Sequence, residues 1–162
     1  MSRSRTDDPA AVRGKIGPSL RAQALRWLAR REHSRVELER KLSAQDAAPG
    51  EVAAVLDEFE RRGWLSERRL AEQQIAKAKG RYGVRRVLHD LREKRVASDV
   101  LKEAAVQLKR SELEDARAVW RKRFGRVASG PRERAKQARF LEGRGLSAEV
   151  VRRVVGGDRE TD

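Results

Sequence analysis

The sequence contains no cysteine among its 162 residues. This absence excludes a disulfide framework, a thiolate zinc site and a nucleophilic or redox-active thiol, so the chain has no need of an oxidising compartment. No run approaches the roughly 18 consecutive apolar residues of a membrane span, and residues 1–17 lack the apolar segment of a secretory signal. We therefore expect a soluble, cytoplasmic protein that does not act at a membrane.

Proline and aromatic residues are also scarce. The chain has four prolines, with none between Pro49 and Pro131, and only 4% of its residues are aromatic. Ala, Leu, Glu, Lys and Arg together exceed half of the sequence, a bias typical of helical proteins. Apolar residues recur at helical spacing, as in Val84, Val87 and Leu91, which places them on one face of a helix. The sequence therefore predicts an all-α fold.

Capping residues mark the predicted helix boundaries. Ser34 with Glu37 and Ser111 with Glu114 fit the capping box, in which the two side chains bond each other's backbone N–H groups at a helix start. Further caps are predicted at Ser66, Ser98 and Ser147 for helix starts, at Pro49 and Pro131 for first turns, and at Gly63 and Gly145 for helix ends. These signals predict nine helices, near residues 19–32, 34–44, 49–62, 66–80, 84–95, 98–109, 111–124, 131–143 and 147–155.

A repeat of about 49 residues runs through the chain. Leu42, Leu91 and Leu141 are separated by 49 and 50 residues. A fixed period of this size is typical of stacked supersecondary units that cannot bury their apolar faces alone. We therefore predict three tandem three-helix modules in an elongated, curved array. The first module comprises residues 18–65, the second 66–110 and the third 111–155, with flexible tails at residues 1–17 and 156–162.

Positive charge dominates the composition and is concentrated in the second module. The formal net charge is +14, which favours polyanionic partners, nucleic acid first. Each third of the chain holds 13 basic residues, but residues 66–110 hold only 6 acidic ones, against 10 in residues 1–65 and 9 in residues 111–162. The candidate residues for contact with DNA or a nucleoprotein filament are Lys77, Lys79, Arg81, Tyr82, Arg85, Arg86, Arg92 and Lys94.

Each candidate residue also has a structural interpretation. Arg86 lies one turn before Asp90 and is placed to pair with it. Tyr82 either stacks on a base, as aromatic residues do in single-strand binding sites, or packs on its own module. The remaining cations either contact phosphate or form a solvated basic face.

No pattern of residues indicates catalysis, a metal or a cofactor. The segment from Gly125 to Gly130 has the glycine spacing of a phosphate-binding loop, but Pro131 and Arg132 follow where Lys and Ser or Thr are required. It is therefore interpreted as a loop between helices. His33 and His89 are far apart in sequence, and neither begins a metal-ligand motif. We predict that the protein is not an enzyme.

Three ordered segments form a specific pattern. They are residues 24–42, which include Glu37-Leu38 and Lys41-Leu42, residues 63–71, which begin Gly-Trp-Leu-Ser-Glu, and residues 83–96, which begin Gly-Val-Arg-Arg-Val. Taken in order, they resemble the RecX family, bacterial regulators of the RecA recombinase. The chain departs from the family pattern at Ser66, Leu70 and Arg95, where Asp, an aromatic residue and Gly are usual. A different cap or a slightly longer helix is therefore expected near Arg95.

The resemblance implies a non-enzymatic modulator that binds RecA and its filament on DNA. It implies inhibition of filament growth, strand exchange and ATP hydrolysis in recombination and SOS repair. We expect a monomer that binds single- and double-stranded DNA without sequence preference. Two alternatives remain open: a winged helix-turn-helix transcription factor built on residues 34–65, and a helical adaptor for an acidic protein that binds no nucleic acid.

Overall fold

The chain folds into α-helices joined by short turns. The computed structural model describes residues 19–157, in which there are eight α-helices and no β-strand. The helices are α1 Leu20–Arg30, α2 Arg35–Ser43, α3 Pro49–Arg61, α4 Glu67–Ala78, α5 Val84–Glu93, α6 Ser98–Arg123, α7 Pro131–Gly143 and α8 Ala148–Gly156. The predicted all-α class is confirmed. The predicted tail at residues 1–17 and residues 158–162 of the other tail lie outside the described part of the chain.

Most predicted caps are present. Ser34 and Glu37 form the predicted capping box at the start of α2, with Ser34 N–H donating to Glu37 Oε2 at 2.8 Å. The Ser66 hydroxyl accepts a bond from the N–H of Arg69 and caps α4. Pro49 and Pro131 occupy the first turns of α3 and α7, where a missing N–H costs nothing.

The prediction of nine helices is wrong, because α6 runs without a break from Ser98 to Arg123. The second predicted capping box does not form. Ser111 lies inside the helix and its hydroxyl donates to Asp115 Oδ2 at 2.8 Å, one turn ahead, which satisfies it without ending the helix. The predicted boundary at residues 110 and 111 therefore lies within one continuous helix. Ser98 is also not an N-cap, because Ala97 holds that position. The N–H of Ala97 donates to Glu67 Oε2 at 2.8 Å.

Three separate hydrophobic clusters follow one another along the chain. The first joins α1, α2 and α3, the second joins α4, α5 and the first half of α6, and the third joins the second half of α6 with α7 and α8. The repeated leucines Leu42, Leu91 and Leu141 are completely buried, one in each cluster, where each contributes about 2 kcal/mol. Three three-helix units are therefore confirmed, whereas the curved outline stays a prediction.

The turn after the middle helix of each unit repeats as well. Asp46, Arg95 and Gly145 each follow the repeated leucine by four residues, and their φ angles are 57°, 53° and 84°. A left-handed residue here ends the helix and redirects the chain into the next one. Arg95 therefore takes the conformation that glycine adopts in the third module, and α5 is not lengthened.

Candidate functional site

The predicted basic patch lies on the surface of the second module. Lys77 is in the last turn of α4, Lys79 and Arg81 are in the turn that follows, and Arg85 and Arg92 lie on α5. All five side chains are exposed, and none has a carboxylate partner within residues 19–157. They are therefore free to meet a polyanion.

Two of the predicted cations already have carboxylate partners. Arg86 Nε lies 3.4 Å from Asp90 Oδ2, so the predicted i,i+4 pair is confirmed. Lys94 Nζ donates to Glu37 Oε1 of the first module at 2.9 Å, and only 25% of the lysine side chain is exposed. The structure therefore places Lys94 at the contact between the first two modules, apart from the rest of the patch.

Glu37 holds the cations of that contact together. It accepts bonds from the Ser34 N–H, from Lys94 and, at 3.4 and 3.5 Å, from Arg31. Burial raises the pKa of this carboxyl, but the Ser34 N–H and the charges of Lys94 and Arg31 outweigh it and bring the pKa to about 2. The carboxylate is therefore ionised at any physiological pH, and Lys94 stays engaged.

Tyr82 lies between cations of two modules. The Cζ atom of Arg86 is 5.2 Å from the ring centroid, and that of Arg144 from the third module is 5.5 Å from it. Tyr82 remains 37% exposed. Packing against neighbouring side chains, one of the two interpretations of this residue, is therefore observed, and part of the ring is still accessible.

The patch is divided into two shallow grooves on either side of Arg86. One, the turn groove, has a volume of about 550 Å³ and is lined by Lys77, Lys79, Arg81 and Arg86, together with Asp90. The other, the α5 groove, has a volume of about 600 Å³ and is lined by Arg85, His89, Arg92 and Lys109, together with Glu112 and Glu142. The patch is therefore a pair of basic surfaces that share one arginine.

Backbone hydrogen bonds fix this region against the third module. Gly83 N–H donates to the carbonyl of Arg144 at 2.8 Å, and Arg85 N–H donates to that of Gly145 at 3.0 Å. The approach is so close that a Cβ on Gly83 would lie 2.5 Å from the Gly145 carbonyl oxygen. Two of the N–H groups at the start of α5 are therefore bonded within the protein and are not available to an anion.

Two acidic side chains of α6, the buried Glu112 and the half-buried Asp115, strengthen the same contact. Glu112, which is 6% exposed, accepts the N–H and the hydroxyl of Ser147 at 2.7 and 3.1 Å. Asp115 accepts the N–H of Gly80, in the turn after α4, at 3.3 Å. One helix therefore organises the turns of both modules.

The histidines serve no shared site. His33 is buried, with Nδ1 2.9 Å from the carbonyl oxygen of Arg31 and Nε2 3.3 Å from Lys41 Nζ. Burial lowers its pKa, although the bond to the Arg31 carbonyl opposes the shift. His89 is exposed on α5. Within residues 19–157, no three His, Asp or Glu side chains form a group able to hold a metal ion.

Two negative predictions concern other parts of the chain. Residues 125–130 form the predicted loop between α6 and α7, with no strand before it. Across the described residues 19–157, none of the helices combines the length and the hydrophobicity needed to cross a bilayer.

Comparison with known proteins decides the family. The family model "RecX, third three-helix domain" matches residues 111–155, and "RecX, first three-helix domain" matches residues 21–59. The regulatory protein RecX of Ralstonia nicotianae is 45% identical over 139 residues, which cover 86% of this chain and 87% of the relative. The chain belongs to the RecX family. RecX of Leptothrix cholodnii is 44% identical over 145 residues, covering 89% of this chain and 92% of that protein.

Solved RecX structures share the fold. RecX from Lactobacillus salivarius superposes with a TM-score of 0.74 at 15% identity, over 85% of this chain and 92% of that one. A second RecX structure gives a TM-score of 0.69 at 19% identity, over 85% of this chain and 74% of the other. The resemblance to RecX is therefore confirmed in sequence and in fold. Two departures from the RecX pattern prove conservative, because Ser66 still caps α4 and Leu70 is completely buried.

Proposed function

We propose that the protein is a non-enzymatic, cytoplasmic regulator of the RecA recombinase that acts as a monomer. It binds RecA and its filament on DNA and inhibits filament growth, strand exchange and ATP hydrolysis in recombination and SOS repair. Membership of a family of regulatory proteins, with 45% identity over most of both chains, supports the regulatory role. The basic patch supports the contact with nucleic acid.

The single observation that carries the DNA contact is the set of unpaired cations on the second module. Five exposed cations lie on α4, α5 and the turn between them and have no carboxylate partner within residues 19–157, namely Lys77, Lys79, Arg81, Arg85 and Arg92. Each cation that meets a phosphate releases a condensed counterion, which favours binding to DNA of any sequence. Single- and double-stranded DNA are therefore both partners.

The arrangement suggests how filament growth is blocked. A chain of three small modules is narrow enough to lie along a helical filament, with protein contacts at its ends and DNA phosphate at its middle. Lys94 faces the first module and contributes to DNA binding only if its pair with Glu37 opens. We therefore assign the DNA contact to the five unpaired cations, with Tyr82 and Arg86 between them.

The fold argues against the transcription-factor alternative. A winged helix-turn-helix protein continues from its second amphipathic helix into a β-hairpin. Here α3 is followed by Ser66 and then by α4, and residues 19–157 contain no strand. The adaptor alternative predicts no salt-sensitive binding of DNA, and the experiment below tests it.

The deciding experiment follows ATP hydrolysis by the matching RecA on single-stranded DNA while this protein is titrated in. Light scattering reports filament length, and fluorescence anisotropy of a labelled oligonucleotide reports DNA binding at several salt concentrations. We expect inhibition at less than one copy per RecA. No inhibition at saturation would overturn the proposed regulation, and an absence of salt-sensitive DNA binding would favour the adaptor.

A charge-reversed variant tests the patch. Because each reversal replaces attraction by repulsion at a phosphate, Arg81→Glu with Arg85→Glu is expected to raise the concentration for half-inhibition about tenfold. The matched control is Arg26→Glu with Arg40→Glu, which changes the net charge equally on exposed positions of α1 and α2. Circular dichroism checks that both variants stay helical. Equal inhibition by the two variants would remove the patch from the mechanism.

A further inference from the structure

A third basic groove lies where the second and third modules meet. We call it the junction groove; it has a volume of about 410 Å³ and lies next to the turn groove. Its charged and aromatic lining consists of Arg81, Tyr82, Lys122, Arg123, Phe140 and Arg144. Four of these six side chains are cations and none is an acid.

This lining distinguishes the junction groove from the other two. Asp90 lines the turn groove, and Glu112 and Glu142 line the α5 groove, so each of those surfaces carries opposing charge. No carboxylate lines the junction groove among the described residues. Asp115 is nearby but is already bonded to the Gly80 N–H and the Ser111 hydroxyl. Of the three grooves, the junction groove therefore has the lining most strongly biased towards an anion.

Two of the four cations of the groove, Arg123 and Arg144, lie against aromatic rings instead of acids. Arg144 Cζ lies 5.5 Å from the Tyr82 ring centroid and 5.2 Å from that of Phe140. Arg123 Cζ lies 5.6 Å from the Phe140 centroid and 5.9 Å from that of Phe124. A cation–π contact orients a guanidinium but leaves its charge uncompensated. The groove therefore presents positioned cations at little entropic cost on binding.

The walls of the groove come from both modules, but their spacing is fixed. Arg81 and Tyr82 come from the turn after α4, Lys122 and Arg123 from the end of α6, and Arg144 from the turn after α7. The bond from Gly83 N–H to the Arg144 carbonyl, at 2.8 Å, joins two of these segments directly. A composite site of this kind exists only in the folded pair of modules.

We propose that the junction groove binds one nucleotide of single-stranded nucleic acid, with phosphate on the cations and the base against Tyr82. This inference rests on the proposed function and extends it into the third module. A volume of about 410 Å³ suits one nucleotide, and a partly exposed ring offers a stacking surface that every base can use. In a duplex the base faces are already stacked, so the groove favours single strands.

The test compares two variants of α6. Lys122→Gln with Arg123→Gln removes two charges from the groove, whereas Lys102→Gln with Arg110→Gln removes two exposed charges from the same helix outside it. Anisotropy of a labelled oligothymidylate and of a duplex of equal length gives both affinities. We expect the groove variant to weaken single-strand binding about tenfold and to lower the slope of log K against log salt by up to about 0.7, the value for one neutralised phosphate. The control variant should change affinity less than threefold.

The base contact has its own readout. Tyr82→Leu should weaken single-strand binding more than duplex binding and so reduce the preference for single strands, whereas Tyr82→Phe should preserve the preference. Equal losses in the groove and control variants would overturn the inference. If ATP displaces the oligonucleotide at concentrations similar to those of the oligonucleotide itself, the groove is a site for free nucleotides and the assignment to a single strand is wrong.

These outcomes are separable from failure of the proposed function. If the wild-type protein inhibits RecA and binds DNA but the groove variant behaves like the control, only the junction groove is excluded. If the wild-type protein neither binds DNA nor inhibits RecA, the proposed function fails first.

Discussion

The first and second modules meet through charged side chains, whereas the second and third meet through backbone and a shared helix. The first contact relies on Lys94 with Glu37 and on Arg69 with Glu32, at 2.9 and 2.8 Å. The second relies on α6, on Gly83 and on the 144–145 turn. Partly exposed ion pairs weaken in salt and yield to competing charges, but close backbone packing does not. The second and third modules therefore form a rigid unit, to which the first is attached adjustably.

This difference has a functional meaning under the proposed role. The candidate grooves lie on the rigid unit, where the spacing between cations is fixed before an anion arrives. The first module is joined to it by Lys94, a cation that a phosphate competes for. Disrupting the contact between the second and third modules should therefore lower the stability of the rigid unit. Disrupting the contact between the first and second modules should have an effect that depends on pH and salt.

The largest expected effect comes from Gly145→Ala. Gly145 has φ +84°, and a Cβ there would lie 2.6 Å from Arg86 Cβ and 2.7 Å from Arg86 N. Left-handed strain together with this overlap should lower the free energy of unfolding by about 3 kcal/mol. Urea denaturation followed by circular dichroism measures the change.

Gly63→Ala is the matched control for this substitution. Gly63 also ends a helix with a positive φ, +71°, but nothing lies within 4 Å of its added Cβ. It should therefore cost only the backbone strain, about 1 kcal/mol. If both substitutions cost the same, the second and third modules are not held as tightly as the geometry indicates.

The second effect is the acid sensitivity of the contact made by Glu37. The unfolded carboxyl has a pKa of 4.5 and the folded one a pKa of about 2, so its contribution is complete above pH 4.5 and disappears as the pH falls towards 2. Because 21% of the side chain is exposed, we expect about 2 kcal/mol, below the roughly 3 kcal/mol of an unscreened shift. Glu37→Gln should lose this amount at pH 7.

Denaturation between pH 2 and 7 checks the sign. Wild type and Glu37→Gln should converge near pH 2, whereas Glu39→Gln, which changes an exposed acid on the same helix, should follow the wild type throughout. His33 should also make the protein less stable at low pH. Burial lowers the pKa of this histidine in the folded state, so its contribution to stability falls as the pH drops below 6.5. The opposite result is a difference between the free energies of unfolding of the wild type and Glu37→Gln that stays the same down to pH 2. That result would mean that Glu37 stabilises the protein by packing and not by charge.

Local patterns in the sequence predicted local structure well. The Ser34 and Glu37 box and the helical periodicity depend on residues within a few turns of one another, whereas the repeated leucines mark the same local position in successive modules. The Ser111 and Glu114 box has the same letters but does not form, because Glu112 faces Ser147, which is 35 residues away, and Ser111 bonds Asp115. Sequence alone does not reveal that this helix is needed by two modules at once.

The candidate site also contains residues that local sequence predicts and residues that only long-range packing brings together. The run from Lys77 to Arg86 was recognisable because its cations are adjacent in sequence. The pairing of Lys94 with Glu37 spans 57 residues, and the part of Arg144 in the site depends on how the third module packs. The repeat is the one feature of the sequence that points to Arg144, because Arg144 precedes Gly145 in the third module as Lys94 precedes Arg95 in the second.

The smallest expected effect concerns that repeated turn in the second module. Arg95 has φ +53°, a conformation that costs a residue with a Cβ about 1 kcal/mol, and its side chain is exposed without a carboxylate partner in residues 19–157. Arg95→Gly should therefore raise the free energy of unfolding by up to about 1 kcal/mol, reduced by the greater freedom of glycine in the unfolded chain. Arg95→Ala, which removes the same charge but keeps the Cβ, is the control in urea denaturation. A gain with glycine alone would show that backbone strain sets the stability of this turn, whereas equal gains with both would assign it to relief of charge repulsion in the most basic module.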